Sequence, residues 1–231
     1  MARNLEVIVE EQVQRWNELR REQDRPRERL GKAEIPPCVT ISPEMGSLGL
    51  TVARRLSDLL GFQVYERELV EMIAQTARVR QYLVESVDQH VQSAIENWVG
   101  RQLGTAFFAE SDYVKNLSKV LLILAHHGKS IIVGRGAQFV LEPGRTLRLR
   151  IVAPIEVRVQ RIAEREKLDL REARAKVLRL DADRNAFVRK HFDRELADPL
   201  NYDLVLNTDR LDVEACADLV LTAYQNRFGR R

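Results

Sequence analysis

Residues 38–61 read CVTISPEMGSLGLTVARRLSDLLG, and this stretch decides the fold. Its first part, CVTIS, is a short β-branched run of the kind that forms a buried strand. A turn containing Gly46 and Gly49 follows, and then a run whose apolar spacing favours a helix. A strand, a glycine-bearing turn and a helix N-terminus together form a phosphate cradle, because the helix offers free N–H groups and the positive end of its dipole.

The loop keeps only part of the full phosphate-binding motif, which reads G-x-x-x-x-G-K-[ST]. Gly46, Gly49 and Thr51 are present, but the loop contains no lysine. Gly49 stands where the lysine would be, and Leu48 stands where a small residue is usual. Taken alone, the loop is equally compatible with an ordinary turn between a strand and a helix.

Strand and helix patterns alternate through the rest of the chain. The predicted strands are Cys38–Ser42, Phe62–Tyr65, Ser130–Gly134, Leu147–Ala153 and Asp203–Asn207. The predicted helices are Leu48–Leu60, Pro154–Leu168, Leu170–Phe192 and Asp212–Arg227, with three or four more within Glu66–Gly128. This order predicts an α/β fold in which a parallel five-stranded sheet carries helices on both faces. The two long connections predict helical covers over the carboxyl edge of the sheet.

The composition excludes several classes of protein. Hydrophobic residues make up 45% and charged residues 31% of the 231 positions, which excludes a largely disordered chain. No apolar run reaches the roughly 18–20 residues of a membrane-spanning helix. The N-terminus is interrupted by acids and is not a secretory signal, and two cysteines cannot build a disulfide framework. We therefore expect a cytoplasmic protein with no membrane partner.

The net charge of +3 is too weak to indicate a nucleic-acid partner. Its location is more informative than its size. Residues 155–195 carry twelve positive and nine negative side chains, so this segment has the same excess as the whole chain. The location favours a small polyanionic ligand beneath a mobile cover and disfavours a broad nucleic-acid surface.

From Cys38 onward the chain resembles the cytidylate kinase-like family of the P-loop nucleoside monophosphate kinases. The resemblance rests on five segments in the family's order: TISPEMGSLGLTVARRLSDLLGF, VYERELVEMIA, IIVGRGAQFVL, IVAPIEVRVQRIAERE and DPLNYDLVLNTDRL. In the subgroup that it looks most like, the loop is usually S-R-E-Y-G-S-G-G-R, so the lysine position is already glycine there. Pro43, Met45, Leu48 and Leu50 depart from that pattern, and two cations and one glycine are thereby missing.

The resemblance implies a P-loop kinase-like domain at residues 36–231, with a helical acceptor-binding insertion at about 66–129 and a helical lid at about 165–198. It implies transfer of the γ-phosphoryl group of ATP, with Mg2+, to a nucleoside monophosphate such as CMP or dCMP, or to another small phosphorylated or hydroxyl acceptor.

The resemblance also implies roles for individual residues. The donor nucleotide would be bound by Gly46, Ser47, Gly49, Leu50, Thr51, Arg161, Arg165 and Asn207. The acceptor would be bound by Glu66, Arg67 and Arg135, of which Glu66 with Thr51 would also order Mg2+. The transferring group would be clamped by Arg184, Arg189 and Lys190, with Asp183 or Asp181 orienting them.

Two other interpretations remain open. The departures in the loop also suit a catalytically weak or inactive nucleotide sensor on the same fold. Residues 1–30 predict a helix with an apolar stripe at Leu5, Val9, Val13 and Trp16, within an N-terminal extension of residues 1–35. That stripe favours a homodimer or partner-docking helix and a helix packed on its own core equally.

Overall fold

A five-stranded sheet forms the centre of the molecule, seen here in a computed structural model that describes residues 11, 13, 14, 18, 37–102 and 111–229. The strands are β1 (Cys38–Pro43), β2 (Gln63–Tyr65), β3 (Ser130–Val133), β4 (Thr146–Val152) and β5 (Leu204–Asn207). They lie in the order β2-β3-β1-β4-β5, and every neighbouring pair is parallel. The predicted parallel sheet is confirmed, and it places the loops after β1, β3, β4 and β5 on one edge.

Helices connect the strands. They are α1 (Gly49–Leu60), α2 (Arg67–Gln75), α3 (Ala77–Glu85), α4 (Gln89–Gln102), α5 (Asp112–His126), α6 (Ala137–Val140), α7 (Ile155–Glu166), α8 (Leu170–Phe192) and α9 (Val213–Phe228), with short 3-10 turns at Pro143–Arg145 and Pro199–Asn201. The helices α2 to α5 fill the long connection between β2 and β3, and α7 and α8 fill the connection between β4 and β5.

Both faces of the sheet are covered, as predicted. Successive side chains of a strand point to opposite faces, so Ile131 and Val133 join the apolar cluster beneath α1 and α9, while Ile132 joins the cluster beneath α2, α5 and α6. The second cluster also takes in Val188 and Phe192, which attach the end of α8 to the body of the protein. This attachment holds the rest of α8 over the carboxyl edge.

The helices α7 and α8 form a hairpin. Lys167 ends α7 in the left-handed conformation with φ 59°, and Asp169 begins α8 with a capping box that Glu172 completes. The hairpin has a small apolar core of its own, formed by Val159, Ile162, Ala163, Ala173 and Val177. Met45, from the loop after β1, packs against that core. The loop and the hairpin are therefore in direct contact.

The predicted N-terminal helix and extension lie outside the described residues except at four positions. Glu11, Val13, Gln14 and Glu18 are helical, and Val13 packs against the apolar cluster that contains α2 and α5. None of the helices in the described part of the chain has both the length and the apolar character that crossing a membrane requires.

Candidate functional site

The loop between β1 and α1 presents a helix N-terminus to the carboxyl edge of the sheet. Leu48 precedes α1 in the left-handed conformation with φ 60°, and its side chain makes no capping hydrogen bond. The first turn of α1 contains no acidic residue. The N–H groups of that turn have no acceptor within the helix, and the helix dipole makes this end positive. The loop can therefore receive an anion.

Two glycines let the loop lie close to its surroundings. A Cβ atom on Gly46, whose φ is +82°, would lie 2.7 Å from the carbonyl oxygen of Arg158 on α7. A Cβ atom on Gly49 would overlap the Cβ atom of Pro43. The side chain of Pro43 thus fills the space into which a residue at position 49 would extend.

Beneath the loop lies an ion network that the sequence analysis did not assign. Arg150 of β4 and Arg158 of α7 are each only 8% exposed. The Glu44 carboxylate bonds both of them, at 3.4 Å to Arg150 Nη2 and 3.3 Å to Arg158 Nε, and it also accepts from the Ala153 amide at 3.2 Å. Buried cations need such partners. An arginine inside the apolar run LRLRIV was the sequence signal for this network.

The helix α8, which belongs to the predicted lid, reaches the loop through Asp181 and Arg184. The Met45 amide donates to Asp181 Oδ1 at 2.9 Å, and Arg158 donates to Asp181 Oδ2. Arg184 Nη1 donates to the Pro43 carbonyl oxygen at 3.1 Å and to Asp181 Oδ1 at 3.4 Å. The helix α8 therefore covers the loop and is hydrogen-bonded to it.

Beside the loop, three arginines line one cavity of about 70 Å3. They are Arg67 at the start of α2, Arg135 after β3 and Arg184 on α8. Asp183 lines the same cavity, and the apolar part of the lining includes Val133, Phe187 and Leu196. A cluster of cations with an apolar wall suits an anionic group on an organic molecule.

Arg135 is held in place by its backbone and by its neighbours. Its φ is +55°, which is uncommon for a residue with a side chain. Its guanidinium forms an ion pair with Glu71 and lies 5.2 Å from the centre of the Phe187 ring. Its Nε is buried and has no hydrogen-bond partner among the described residues. The guanidinium therefore retains a free donor.

Burial and mutual repulsion disturb these cations. Burial and the nearby charges of Arg67 and Arg184 together lower the pKa of Arg135 to about 10, against the opposing effect of Glu68. Burial also lowers the pKa of Arg184, with Asp181 acting in the opposite direction. A bound anion would relieve both effects.

On the other side of the loop, Arg161 lies where the resemblance implies the donor nucleotide. Its guanidinium donates to Thr208 Oγ1 at 3.0 Å, to the Thr208 carbonyl oxygen at 2.8 Å and to the Gly46 carbonyl oxygen at 3.4 Å. Asn207 ends β5 beside Thr208 and accepts from the Asp209 amide at 3.0 Å. Arg161 therefore contacts the loop, and Asn207 is next to Thr208, whose hydroxyl donates to the Ser47 carbonyl oxygen at 3.0 Å.

Three predicted cations lie away from the loop. The side chain of Arg165 is 61% exposed and pairs with Glu166 at 2.8 Å. Arg189 is 68% exposed at its side chain and pairs with Glu195 at 2.6 Å, and Lys190 is also exposed. The inward face of α8 carries Asp181, Arg184 and Val188, four or three residues apart, so positions 189 and 190 fall on its outer face.

The remaining predicted residues have local partners. Ser47 is buried, and its hydroxyl donates to the Glu44 carbonyl oxygen at 2.9 Å. Leu50 packs into the cluster beneath α1 and α9, so only its backbone can serve the loop. Thr51 is exposed on α1, and Glu66 pairs with Arg54 at 2.9 Å.

These placements provide no ready set of metal ligands. Residues 37–102 and 111–229, with the four described positions before them, contain no group of three His, Cys, Asp or Glu side chains that could hold a metal ion. Glu44 and Asp181, the carboxylates at the loop, are already bonded to arginines. A magnesium role for Thr51 and Glu66 stays a prediction.

Comparison with known proteins gives a consistent result. The sequence model of the cytidylate kinase-like family matches residues 38–210. Over 108 residues the chain is 32% identical to a cytidylate kinase of Methanocaldococcus jannaschii. The aligned stretch covers 45% of this chain and 60% of that protein. Over 119 residues it is 30% identical to a cytidylate kinase of Methanobrevibacter smithii. This alignment covers 50% of this chain and 67% of that protein. The chain thus spans about half to two thirds of the length of the curated relatives that it matches.

A solved structure resembles the whole fold. The crystal structure of an uncharacterized protein from Eubacterium ventriosum superposes on this chain with a TM-score of 0.64 and 22% sequence identity. The superposition covers 82% of this chain and 98% of that one. At this identity the likeness concerns the fold alone.

Proposed function

The chain belongs to the cytidylate kinase-like family, and we propose that it transfers the γ-phosphoryl group of ATP to a nucleoside monophosphate of the CMP or dCMP type, or to another small acceptor. The observation that carries this proposal is the convergence of Arg67, Arg135 and Arg184 on one cavity beside the loop. Phosphoryl transfer depends on positioning and on positive charge around the transferring oxygens more than on a nucleophile from the protein.

Each part of the site has a role in this proposal. Arg67 and Arg135 bind the phosphate of the acceptor, whose organic part lies against the apolar wall formed by Phe187. The backbone between Gly46 and Thr51 binds the phosphates of the donor, since α1 begins there without a cap. Arg161 binds the nucleoside part of the donor near Asn207. Arg184 lies between the two sides and binds the transferring group.

Mg2+ enters the proposal only as part of the donor substrate, its complex with ATP. The described residues contain no group of three His, Cys, Asp or Glu side chains that could hold a metal ion, and Thr51 and Glu66 stay the side chains predicted to order Mg2+. The missing loop lysine is replaced in charge by the arginines Arg150, Arg158 and Arg184, which surround the loop.

One observation favours a second candidate function, a nucleotide sensor with little or no turnover. Asp181 already occupies the Met45 amide and neutralises part of the charge of Arg158 and Arg184. A site whose donors are bonded internally can bind a nucleotide weakly without accelerating transfer.

An assay of transfer separates the two functions. The protein is mixed with ATP, Mg2+ and, one at a time, CMP, dCMP, UMP and AMP, and the ADP formed is measured by a coupled reaction. Turnover with one of them supports the kinase. ATP binding by calorimetry without turnover on any acceptor supports the sensor, and absence of nucleotide binding contradicts both.

A further inference from the structure

The carboxylate of Asp181 lies on the phosphate-binding loop like an internal anion. Its Oδ1 accepts from the Met45 amide at 2.9 Å and from Arg184 Nη1 at 3.4 Å, and its Oδ2 accepts from Arg158. A phosphate group bound at such a loop accepts hydrogen bonds from the same kinds of donor, backbone N–H groups and guanidinium groups. Asp181 thus occupies donors that a ligand of this site would use.

The site is closed in this arrangement. The cavity between the loop and α8 holds about 70 Å3, against several hundred Å3 for a pocket that takes a nucleotide-sized ligand. Arg184 Nη1 also bonds the Pro43 carbonyl oxygen at 3.1 Å, so α8 is fastened to the loop at two points. Admission of a nucleotide requires both contacts to change.

Met45 makes the loop and the lid hairpin a single coupled unit. Its amide is held by Asp181 of α8, its carbonyl oxygen accepts from Arg158 of α7 at 3.2 Å, and its side chain packs against the apolar core of the hairpin. Any movement of the hairpin away from the sheet therefore acts on the loop backbone at this residue.

We propose that Asp181 is a positioning residue that holds the loop and Arg184 in the ligand-free protein and is displaced by a phosphate group of the bound nucleotide. Displacement frees the Met45 amide and the guanidinium of Arg184 for that phosphate. The affinity for phosphates is then lowered by the fraction of protein in which Asp181 remains in place. This inference rests on the proposed function, because it requires nucleotide phosphates to bind at this loop.

Substitution of Asp181 by asparagine tests the competition. Asp181→Asn keeps the size of the side chain and removes its charge, so pyrophosphate and ATP, measured by calorimetry, should bind at least about fivefold more tightly than to the unsubstituted protein. A residue that only braced the lid would give equal or weaker binding after substitution, and that result overturns the inference.

The matched control is Glu164→Gln on α7 of the same hairpin. The Glu164 side chain is exposed and accepts from Gln160 at 2.7 Å, away from the loop. Glu164→Gln removes one negative charge, as Asp181→Asn does. An equal gain in affinity for pyrophosphate and ATP in the two variants would show a general electrostatic effect and overturn the inference.

Amide hydrogen exchange supplies a readout that needs no ligand. The Met45 amide should exchange slowly in the ligand-free protein and at least about tenfold faster in Asp181→Ala. The Val52 amide, which donates to the Leu48 carbonyl oxygen at 3.0 Å, should keep its rate in both. Fast exchange of Met45 in the unsubstituted protein contradicts the inference.

The outcomes separate the inference from the function on which it rests. If the unsubstituted protein binds ATP and Asp181→Asn binds it no more tightly, the inference fails, while the nucleotide binding that the proposed function requires is retained. If neither protein binds ATP or pyrophosphate, the proposed function fails, and displacement by a phosphate fails with it.

Discussion

The Cβ atom of Pro43 lies in the space that the first side-chain carbon of any residue at position 49 would need. Pro43 and Gly49 are therefore a matched pair, and a lysine at position 49 requires a glycine at position 43. With Gly49 at the lysine position of the full phosphate-binding motif, the first glycine of the motif falls at position 43, so Pro43 and Gly49 depart from the motif together.

We expect Gly49→Lys to lower the free energy of unfolding by about 1–3 kcal/mol, because it overpacks the loop against Pro43. The double variant Pro43→Gly/Gly49→Lys should recover a large part of this loss. Urea unfolding of both single variants and the double variant measures the coupling between the sites. Strictly additive losses would show that the two side chains do not compete for one space.

Leu48 adopts a left-handed backbone that a glycine adopts without strain. We expect Leu48→Gly to leave the free energy of unfolding unchanged or to raise it by up to about 1 kcal/mol, since relief of the strained φ opposes the loss of side-chain burial. Its control is Leu219→Gly in α9, where the side chain is 47% exposed. That variant should lose about 1 kcal/mol. Equal losses in the two variants would contradict the strain at Leu48.

In the proposed function Arg135 binds the acceptor, and it is buried beside other cations. We expect Arg135→Met to keep the free energy of unfolding within about 1 kcal/mol of the unsubstituted protein, because the Glu71 side chain, 33% exposed, can be solvated once its partner is removed. Its affinity for the acceptor should fall about 30- to 100-fold, because a charge-assisted hydrogen bond to a phosphate is lost. Calorimetry with CMP measures the second effect, and Arg179→Met on the exposed face of α8 is the control. Unchanged CMP affinity would remove Arg135 from the acceptor site.

His191, near the end of α8, should make the free energy of unfolding depend on pH. Burial lowers the pKa of His191, and the charge of Lys190 lowers it further. The unfolded chain, with a histidine pKa near 6.5, therefore takes up a proton before the folded protein does. The neutral His191 side chain therefore contributes to the free energy of unfolding above about pH 6.5. This contribution is lost as the pH falls through the lower pKa of the folded state.

We expect the difference in unfolding free energy between pH 7.5 and pH 5 to be smaller in His191→Phe than in the unsubstituted protein. Phe187 lies 4.7 Å away, centre to centre, so the phenyl ring has an aromatic neighbour to pack against. An identical difference in both proteins would show that His191 does not titrate differently on folding.

The fold was predictable because its determinants are local and periodic. The strand that includes Ile41, the helix that ends at Phe192 and the order of the elements between them follow from runs of apolar residues and their spacing. The parallel direction of the strands followed from the helices that separate them in the sequence, whereas the order β2-β3-β1-β4-β5 was not predicted.

The site was predictable only in part, because the direction of a side chain depends on the packing of its helix. Arg158, Arg161 and Arg165 share one face of α7 in the sequence, yet only the first two reach the loop, since α7 extends away from it toward Lys167. Likewise, the resemblance implied that Arg184 and Arg189 act together. Arg184 lines the cavity, whereas Arg189, five residues further along α8, faces away from it.

The charges beneath the loop could not be paired from the sequence. Glu44 and Arg150 are more than a hundred residues apart, and their contact depends on the alignment of β1 with β4, where Ser42 faces Arg150. The apolar strand around Arg150 indicated a buried cation but not its partner. Such pairings arise from register, which one sequence does not specify.

The most direct test of the proposed function is the kcat of Arg184→Ala with ATP, Mg2+ and the best monophosphate acceptor at saturation. A guanidinium that binds the transferring group acts mainly in the transition state, so kcat should fall at least about a hundredfold. Arg179→Ala, on the exposed face of the same helix, should keep its kcat. An unchanged kcat in Arg184→Ala, or the absence of turnover on every acceptor in the unsubstituted protein, would contradict the account.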